Sequence, residues 1–386
     1  MTVPKHGFRC TKSHVSLLQN PRTLGAAKPD LRPLSRILLI AAIALSGAFI
    51  CAAQSPPPPT PAPPRPNPFS SFRRFVELDA LSVSTRYRYI GDSNRAIAAN
   101  QDQYQIIARG RFKFDKSGRY SIGFGLQTGN VFNAGWNSTG WGTGAPRNDL
   151  ILRQLYFDAR PVNGLEIQIG GLAFNNGENT EITSYDNDGY LTGERVRITR
   201  PKRLFFDEIS LTRAYIGDTA RPNIFARLHR LGNANYYQLL GRKRLNKSVS
   251  FSADYTYEAG SDTLRQGVKF SVPKFALLDS FLFENYERLD PKPGYGFSVY
   301  GQKKVNRHLT VGEGFARIDR TMLNADRFPR GNRIFANILV PVTRELSVNA
   351  VAIHGLGPIA ATLPRTRIEL IVSYNVLETL KRFKIQ

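Results

Sequence analysis

Positively charged side chains occupy every second position in parts of this sequence. In the segment 103–114, Arg109, Arg111 and Lys113 alternate with small or aromatic residues. Successive side chains of an extended strand point to opposite faces, so this spacing predicts a strand with three cations on one face. A row of cations along a water-filled surface attracts anions and repels cations. The chemistry that the pattern indicates is therefore the recognition of anions.

Other alternating segments carry basic residues that we expect on the same face of the fold. They are Arg86, Arg88, Arg227, Arg265, Lys269, Arg333 and Arg367. Carboxylates alternate in the same way, namely Asp158, Glu166, Asp254 and Glu369. Two interpretations are open: a wall that prefers anions, or a solvated wall on which the charges cancel.

Catalytic and metal-binding patterns are weaker in this sequence. The segment 186–189 (DNDG) resembles the start of a calcium loop but lacks the later ligands and the closing glutamate. The histidines after residue 53 are His229, His308 and His354, and no two have the spacing of metal ligands. Nothing marks His354 and Ser347 as part of a Ser–His–acid set. We therefore expect no enzyme activity, no metal site and no cofactor.

The elements that must position these side chains are short strands. From residue 72 onward, segments of alternating polarity are separated by turn-forming residues. Each is roughly ten residues long, the length of a tilted strand that crosses a bilayer. The sixteen predicted strands are 75–89, 103–114, 119–130, 149–160, 164–174, 207–217, 223–231, 236–243, 248–259, 263–272, 277–288, 295–303, 308–318, 332–340, 346–354 and 366–376.

The lengths of the connections alternate along the chain. Connections after even-numbered strands are short, as in the segment 115–118 (DKSG). The long ones all follow odd-numbered strands: 90–102, 131–148, 175–206, 320–331 and 355–365. This parity puts short turns on one side and long loops on the other, which is typical of outer-membrane barrels. We predict an all-β fold, a transmembrane antiparallel up-and-down β-barrel of about 16 strands with short periplasmic turns and long outer loops.

The N-terminal part of the chain has the features of an export signal. An apolar run over 37–53 follows Arg36 and ends in the small residues Ala52 and Ala53. These features predict a secretory signal peptide over 1–53; a membrane anchor is the alternative.

Two further regions follow the predicted signal. Residues 54–71 are rich in proline and predict an extended periplasmic linker, and 72–386 form the barrel domain. Both cysteines, Cys10 and Cys51, precede the predicted cleavage site, so we expect no thiol chemistry in the mature chain. The net charge of +23 falls to +17 without the first 53 residues, which hold seven Lys or Arg and one Asp.

The segment 150–174, LILRQLYFDARPVNGLEIQIGGLAF, is a strand, a short turn and a strand, and the longest connection follows it. With these features, the chain after the proline-rich segment resembles a sixteen-stranded general porin, and most of all the phosphate-selective porin superfamily. The resemblance implies a homotrimer embedded in the outer-membrane lipid of a Gram-negative-type bacterium, through which small hydrophilic solutes diffuse passively. One feature departs from it: such barrels usually end in an aromatic residue, whereas this chain continues beyond Tyr374.

In porins the connection after the fifth strand folds into the barrel and narrows it. By resemblance, 175–206 would do so here and face the basic wall; its first half is acidic and its second half basic. The residues that the resemblance assigns to this constriction are Glu178, Glu181, Asp186, Asp188, Glu194, Arg195 and Arg197.

Three functions remain open at this point. The first is a passive porin that prefers anions. The second is a non-conducting barrel that anchors the envelope, with its proline-rich arm reaching the cell wall. The third is a secreted β-protein that binds polyanions. Nucleic-acid binding would account for the charge but not for the export signal or the strand parity, so we expect no nucleic-acid partner.

Overall fold

A computed structural model of the chain describes residues 75–94, 96–132, 134–180, 182–183, 185, 190–200, 204–271, 277–290, 293–319, 321–322, 330–357 and 365–383. The predicted signal peptide and linker lie outside these residues.

The regular structure of the described residues is almost entirely β-strand. The strands are β1 (Val76–Asp92), β2 (Ile97–Lys113), β3 (Tyr120–Thr128), β4 (Asn137–Gly142), β5 (Leu150–Ala159), β6 (Leu165–Ala173), β7 (Tyr190–Thr199), β8 (Glu208–Tyr215), β9 (Tyr236–Arg244), β10 (Val249–Glu258), β11 (Ser261–Ser271), β12 (Ser280–Arg288), β13 (Gly294–Asn306), β14 (Leu309–Ile318), β15 (Gly331–Pro341), β16 (Leu346–Gly355) and β17 (Arg365–Asn375). One helix, α1 (Val376–Arg382), follows the last strand. No helix in this part of the chain is long and apolar enough to cross a membrane.

Sixteen of the described strands form a closed antiparallel barrel. Each strand of the ring pairs with the next along the chain, except that β3 pairs with β5, because the short β4 pairs only with the end of β2 that β3 does not reach. The ring closes where β17 pairs with β1, from Ser82↔Asn375 to Asp92↔Arg365. The predicted sixteen-stranded up-and-down barrel is confirmed.

The predicted strand 223–231 was wrong. This segment forms two 3₁₀ turns, Ile224–Ala226 and Leu228–Arg230. The side chain of Asn223 accepts a hydrogen bond from the backbone N–H of Phe225 at 3.1 Å. This N–H group is thus satisfied within the turn and does not pair with a neighbouring strand. The count of sixteen still holds because β7, which was expected to be loop, is a strand of the ring.

The apolar face of the barrel points outward. On β8, Ser210 and Thr212 are 0% exposed, whereas Leu211 between them is 57% exposed. On β9, Gln238 is 2% exposed and Leu239 is 52% exposed. A water-soluble sandwich shows the reverse arrangement, so this burial favours a wall that contacts lipid.

The chain leaves the barrel through α1. Asn375 caps the helix by accepting a hydrogen bond from the backbone N–H of Glu378 at 3.3 Å, and Leu377 is buried. The hydroxyl of Tyr374 lies 2.7 Å from Thr379 Oγ1. The last strand therefore has its aromatic residue near its end, and Val376–Arg382 form a capped helix.

The backbone of the turn between β10 and β11 is strained at Ala259. Ala259 and Gly260 have φ angles of 48° and 91°, the left-handed pair of a type I′ turn, in which asparagine and glycine are preferred. We expect Ala259→Asn to stabilise the barrel by about 1 kcal/mol because alanine is strained there. The measurement is the temperature at which the folded band is lost on a detergent gel. Gly260→Ala, the control, should lower this temperature, and an unchanged Ala259→Asn variant would contradict the assignment.

The turn between β2 and β3 depends on the carboxylate of Asp115. It accepts hydrogen bonds from the backbone N–H groups of Tyr120 at 3.0 Å and Ser117 at 3.1 Å, and from the hydroxyl of Ser117. These bonds, that of the Ser117 hydroxyl foremost, lower the pKa of Asp115 to about 2.

We expect Asp115→Asn to destabilise the barrel at neutral pH and to have a much smaller effect near pH 2. The pKa of Asp115 is lower in the folded state, so its stabilisation is complete above the ordinary value of 3.8 and is lost as the pH falls towards about 2. Urea unfolding midpoints in detergent at both pH values measure this. Asp149→Asn removes the same charge without these hydrogen bonds and is the control. A loss of stability that is equal at both pH values would contradict the expectation.

Candidate functional site

Three arginines converge on one carboxylate on the lumen face of β1 and β17. Glu369 Oε1 lies 2.7 Å from Arg88 Nε, 2.9 Å from Arg367 Nη2 and 3.1 Å from Arg86 Nη1. The strand register brings them together because Arg88 pairs directly with Glu369. This arginine cluster, Arg86, Arg88, Arg367 and Glu369, has three positive charges and one negative charge, so it carries a net charge of +2.

Arg88 has the most accessible guanidinium of the arginine cluster. It bonds Glu369 through Nε alone, so its two Nη groups have no hydrogen-bond partner among the described residues. Its side chain is 21% exposed, whereas Arg86 is 3% exposed and packs 4.1 Å from the ring centroid of Trp136. Two Nη groups in one plane match the two oxygens of a carboxylate or a phosphate.

The cations of β2 lie on the strand face opposite its exposed aromatic residues. Arg109, Arg111 and Lys113 are all half-buried there. Lys113 Nζ lies 2.6 Å from Glu77 Oε2, and Arg111 Nη2 lies 3.0 Å from Asp79 Oδ1. Two of the three cations are thus partly neutralised by neighbouring acids.

The remaining predicted wall cations differ in exposure. Arg265 is buried on β11, 3.3 Å from Asp254 Oδ1, and donates to the carbonyl of Thr183 at 3.0 Å. Lys269 lies on the same face of β11 and is exposed, and Arg333 lies on the lumen face of β15 and is buried. Of these three, only Lys269 is well exposed to solvent.

Arg227 does not lie on a strand of the wall. It lies between the two 3₁₀ turns, is fully buried, and packs its guanidinium 4.2 Å from the ring centroid of Tyr190. Its predicted place on a lumen-facing strand was wrong, because that strand does not exist. The cation–π contact instead fixes the β8–β9 connection over β7.

The chain between β6 and β7 folds into the barrel. We call its described residues, 174–180, 182, 183 and 185, the inward loop. The backbone N–H of Glu178 donates to Ser252 Oγ on β10 at 2.8 Å, and farther along Ile182 is buried against lumen residues of β14, β15 and β16. These partners of Ile182 are Ala316, Phe335 and Ile353.

Glu284 of β12 anchors the inward loop. Its carboxylate accepts hydrogen bonds from the backbone and hydroxyl of Thr180, the latter at 3.0 Å, and from the hydroxyls of Thr183 at 3.2 Å and Ser298. Glu284 is 0% exposed. Hydrogen bonds to a charged group contribute about 1.5–3 kcal/mol each, so this residue can hold the loop against the wall.

The inward loop runs from the wall opposite the arginine cluster towards the strands beside the cluster. Around the ring, β10 is eight strands from β1 in either direction among the described strands. The start of the loop docks on β10 and β12, whereas Ile182 packs against β14, β15 and β16, and β16 pairs with β17 of the cluster. A solute in the lumen would have the start of the docked loop on one side and the +2 cluster on the other.

Three residues assigned to the constriction lie on β7, so their placement in the loop was wrong. Glu194 faces outward and pairs with Arg213 at 2.9 Å. Arg195 and Arg197 lie on the other face, where Arg197 pairs with Glu166 at 2.7 Å. Charges on both faces of β7 hide the alternation that identified the other strands.

The other residues assigned to the constriction are only partly described. Glu178 lies in the inward loop, and its carboxylate is 3.2 Å from Arg242 Nη2. Glu181, Asp186 and Asp188 lie outside the described residues. Within the part of the chain that the structure describes, no group of three His, Cys, Asp or Glu side chains could hold a metal ion.

Two important side chains were missed by sequence analysis. Glu284 shares its strand face with Leu282 and Tyr286, and an acid at such a position is a usable sign of a buried anchor. Trp136, which packs on Arg86, gives no such sign, because nothing in the sequence connects the β3–β5 connection with β1.

Comparison with solved structures identifies the fold. A multiply substituted porin of Rhodopseudomonas blastica matches with a TM-score of 0.51 and 12% identity, over 78% of this chain and 99% of that one. Salmonella typhi OmpF, solved with daunomycin, matches with a TM-score of 0.54 and 10% identity, over the same shares. No family model and no curated protein sequence matches the chain. At such identities the matches show that the fold is that of general porins.

The role of Glu284 can be tested by removing its carboxylate. We expect Glu284→Ala to release the inward loop, raise the single-channel conductance and admit larger polyethylene glycols into the lumen. Glu287→Ala is the control, because Glu287 is exposed on the opposite face of the same strand. Conductance and polymer exclusion that match those of the wild type would show that Glu284 does not hold a constriction.

Proposed function

We propose that this protein is an outer-membrane porin through which small hydrophilic solutes diffuse passively, with anions favoured over cations. The observation that carries the proposal is the +2 arginine cluster on the lumen face of β1 and β17. The outward apolar face and the polar interior support the membrane location.

The preference for anions follows from how the charges are paired. On the loop side, Glu178 lies beside Arg242 and Asp254 lies beside Arg265, so acids and bases largely cancel. On the opposite side, one carboxylate faces three guanidinium groups, and the two Nη groups of Arg88 have no hydrogen-bond partner among the described residues. A surplus of positive charge in a narrow, low-dielectric channel raises the local anion concentration.

The proposal extends to the parts of the chain outside the barrel. A signal peptide over 1–53 would direct export, and the proline-rich linker 54–71 would lie in the periplasm near the cell wall. The barrel would be embedded in the outer-membrane lipid of a Gram-negative-type bacterium and assemble as a homotrimer. Phosphate belongs among the test anions, because the sequence resembles phosphate-selective porins.

A non-conducting barrel is the second candidate, and the inward loop is the observation that favours it. The loop occupies part of the interior along β10, β12 and β14–β16. A secreted polyanion-binding protein fits less well, since its apolar residues would be exposed to water.

The test is the reversal potential of the full-length protein, extracted in detergent and inserted in a planar bilayer across a salt gradient. We expect conductance steps and an anion-directed potential. Arg88→Gln or Arg367→Gln should lower the anion-to-cation permeability ratio by roughly two- to tenfold. Arg317→Gln, which removes a charge from a side chain that is 56% exposed on the outer face of β14, should leave the ratio unchanged.

Each outcome separates the candidates. Conductance steps with a cation-directed reversal potential would support the porin function and contradict the preference for anions. A folded barrel without steps would favour the non-conducting barrel.

A further inference from the structure

Aliphatic side chains interrupt the polar lumen wall beside the arginine cluster. The register pairs Ile371 with Arg86 and Val351 with Glu369, so these aliphatic residues share the face of the cluster. Leu339 pairs with Asn349, the neighbour of Ile371, and lies on that face too. The lumen of a water-filled barrel is normally polar, so this aliphatic patch (Leu339, Val351 and Ile371) is unexpected.

The aliphatic patch continues an apolar surface that the inward loop covers only in part. Ile182 buries Ile353 and Phe335, which are 2% and 9% exposed. Val351 also packs against this cluster, but Val351, Leu339 and Ile371 are each only half-buried. Among the described residues, docking of the loop therefore buries one end of the surface and leaves the end nearest the arginine cluster half-exposed.

A free guanidinium lies within reach of this uncovered end. Arg88 and Val351 lie on strands two places apart, with β17 between them, and two strand spacings amount to about 10 Å. The long side chain of Arg88 shortens this gap, and its Nη groups have no protein partner among the described residues. A carboxylate on Arg88 would thus direct a short hydrocarbon chain towards Val351 and Ile371.

We propose that Arg88 and the aliphatic patch form a binding site for amphipathic organic anions, namely monocarboxylates with a short hydrocarbon chain. Arg88 binds the carboxylate, and Val351 and Ile371 contact the chain. An inorganic anion binds Arg88 but has no hydrocarbon chain to contact Val351 and Ile371. The inference rests on the proposed porin function, because the solute reaches the site through the lumen.

The probe is the block of chloride current through single channels of the full-length protein by acetate, butyrate or hexanoate. In the wild type, we expect the half-blocking concentration to fall by about two- to fourfold for each added methylene. In Val351→Thr/Ile371→Thr the dependence on chain length should flatten, because each hydroxyl replaces an apolar group, with little change in shape at Val351 and the loss of one carbon at Ile371. Arg88→Gln should raise the half-blocking concentration of all three acids by a similar factor.

The control variant is Val348→Thr, which lies on the outer face of the same strand as Val351 and should block like the wild type. An equal block by all three acids would overturn the site, as would a chain-length dependence that survives Val351→Thr/Ile371→Thr. A folded band on an unheated detergent gel shows that each variant is folded. A barrel without chloride current would instead overturn the proposed porin function, and this inference with it.

Discussion

The pairing of β17 with β1 is the interaction on which the rest of the structure depends. Lipid offers no hydrogen-bond partners, so a sheet in a bilayer must leave no edge strand unpaired. The ring meets this requirement along the whole interface from Ser82↔Asn375 to Asp92↔Arg365. The same pairing sets Arg88 beside Glu369, 281 residues apart in sequence, so the closure that satisfies the backbone also assembles the arginine cluster.

Closure also determines what the interior must contain. Side chains on the inner face of a sixteen-stranded ring cannot all reach one another across the lumen, so buried polar groups need partners from elsewhere. The inward loop supplies them on one side: Glu284 receives the hydroxyls of Thr180 and Thr183, and Ser252 receives the backbone N–H of Glu178. On the other side, three arginines of the wall bond Glu369, which also belongs to the wall. No described residue of the loop is hydrogen-bonded there.

Sequence alone could predict what depends on the two-residue period of a strand. It gave the barrel, fifteen of the sixteen strands of the ring and the face of Arg109, because alternation and turn residues are local properties. It missed β7, whose Glu194 is outside and Arg195 inside, since charges on both faces remove the alternation. Local alternation also does not reveal the β-bulge at Arg153, whose guanidinium donates to the carbonyls of Thr128 and Ala134.

The candidate site was less predictable because it depends on register across strands that are distant in the chain. Alternation can put Arg88, Glu369 and Val351 on inward faces, but it cannot show that they are neighbours. A shift of the strand register by two residues would leave each side chain on its inward face and yet separate the three residues. Register is set by turn lengths and closure summed around the whole ring, which no single segment encodes. The two sides of the lumen are therefore unequal for a structural reason. On the loop side the charges serve to hold a loop, whereas on the closing strands the Nη groups of Arg88 have no hydrogen-bond partner among the described residues.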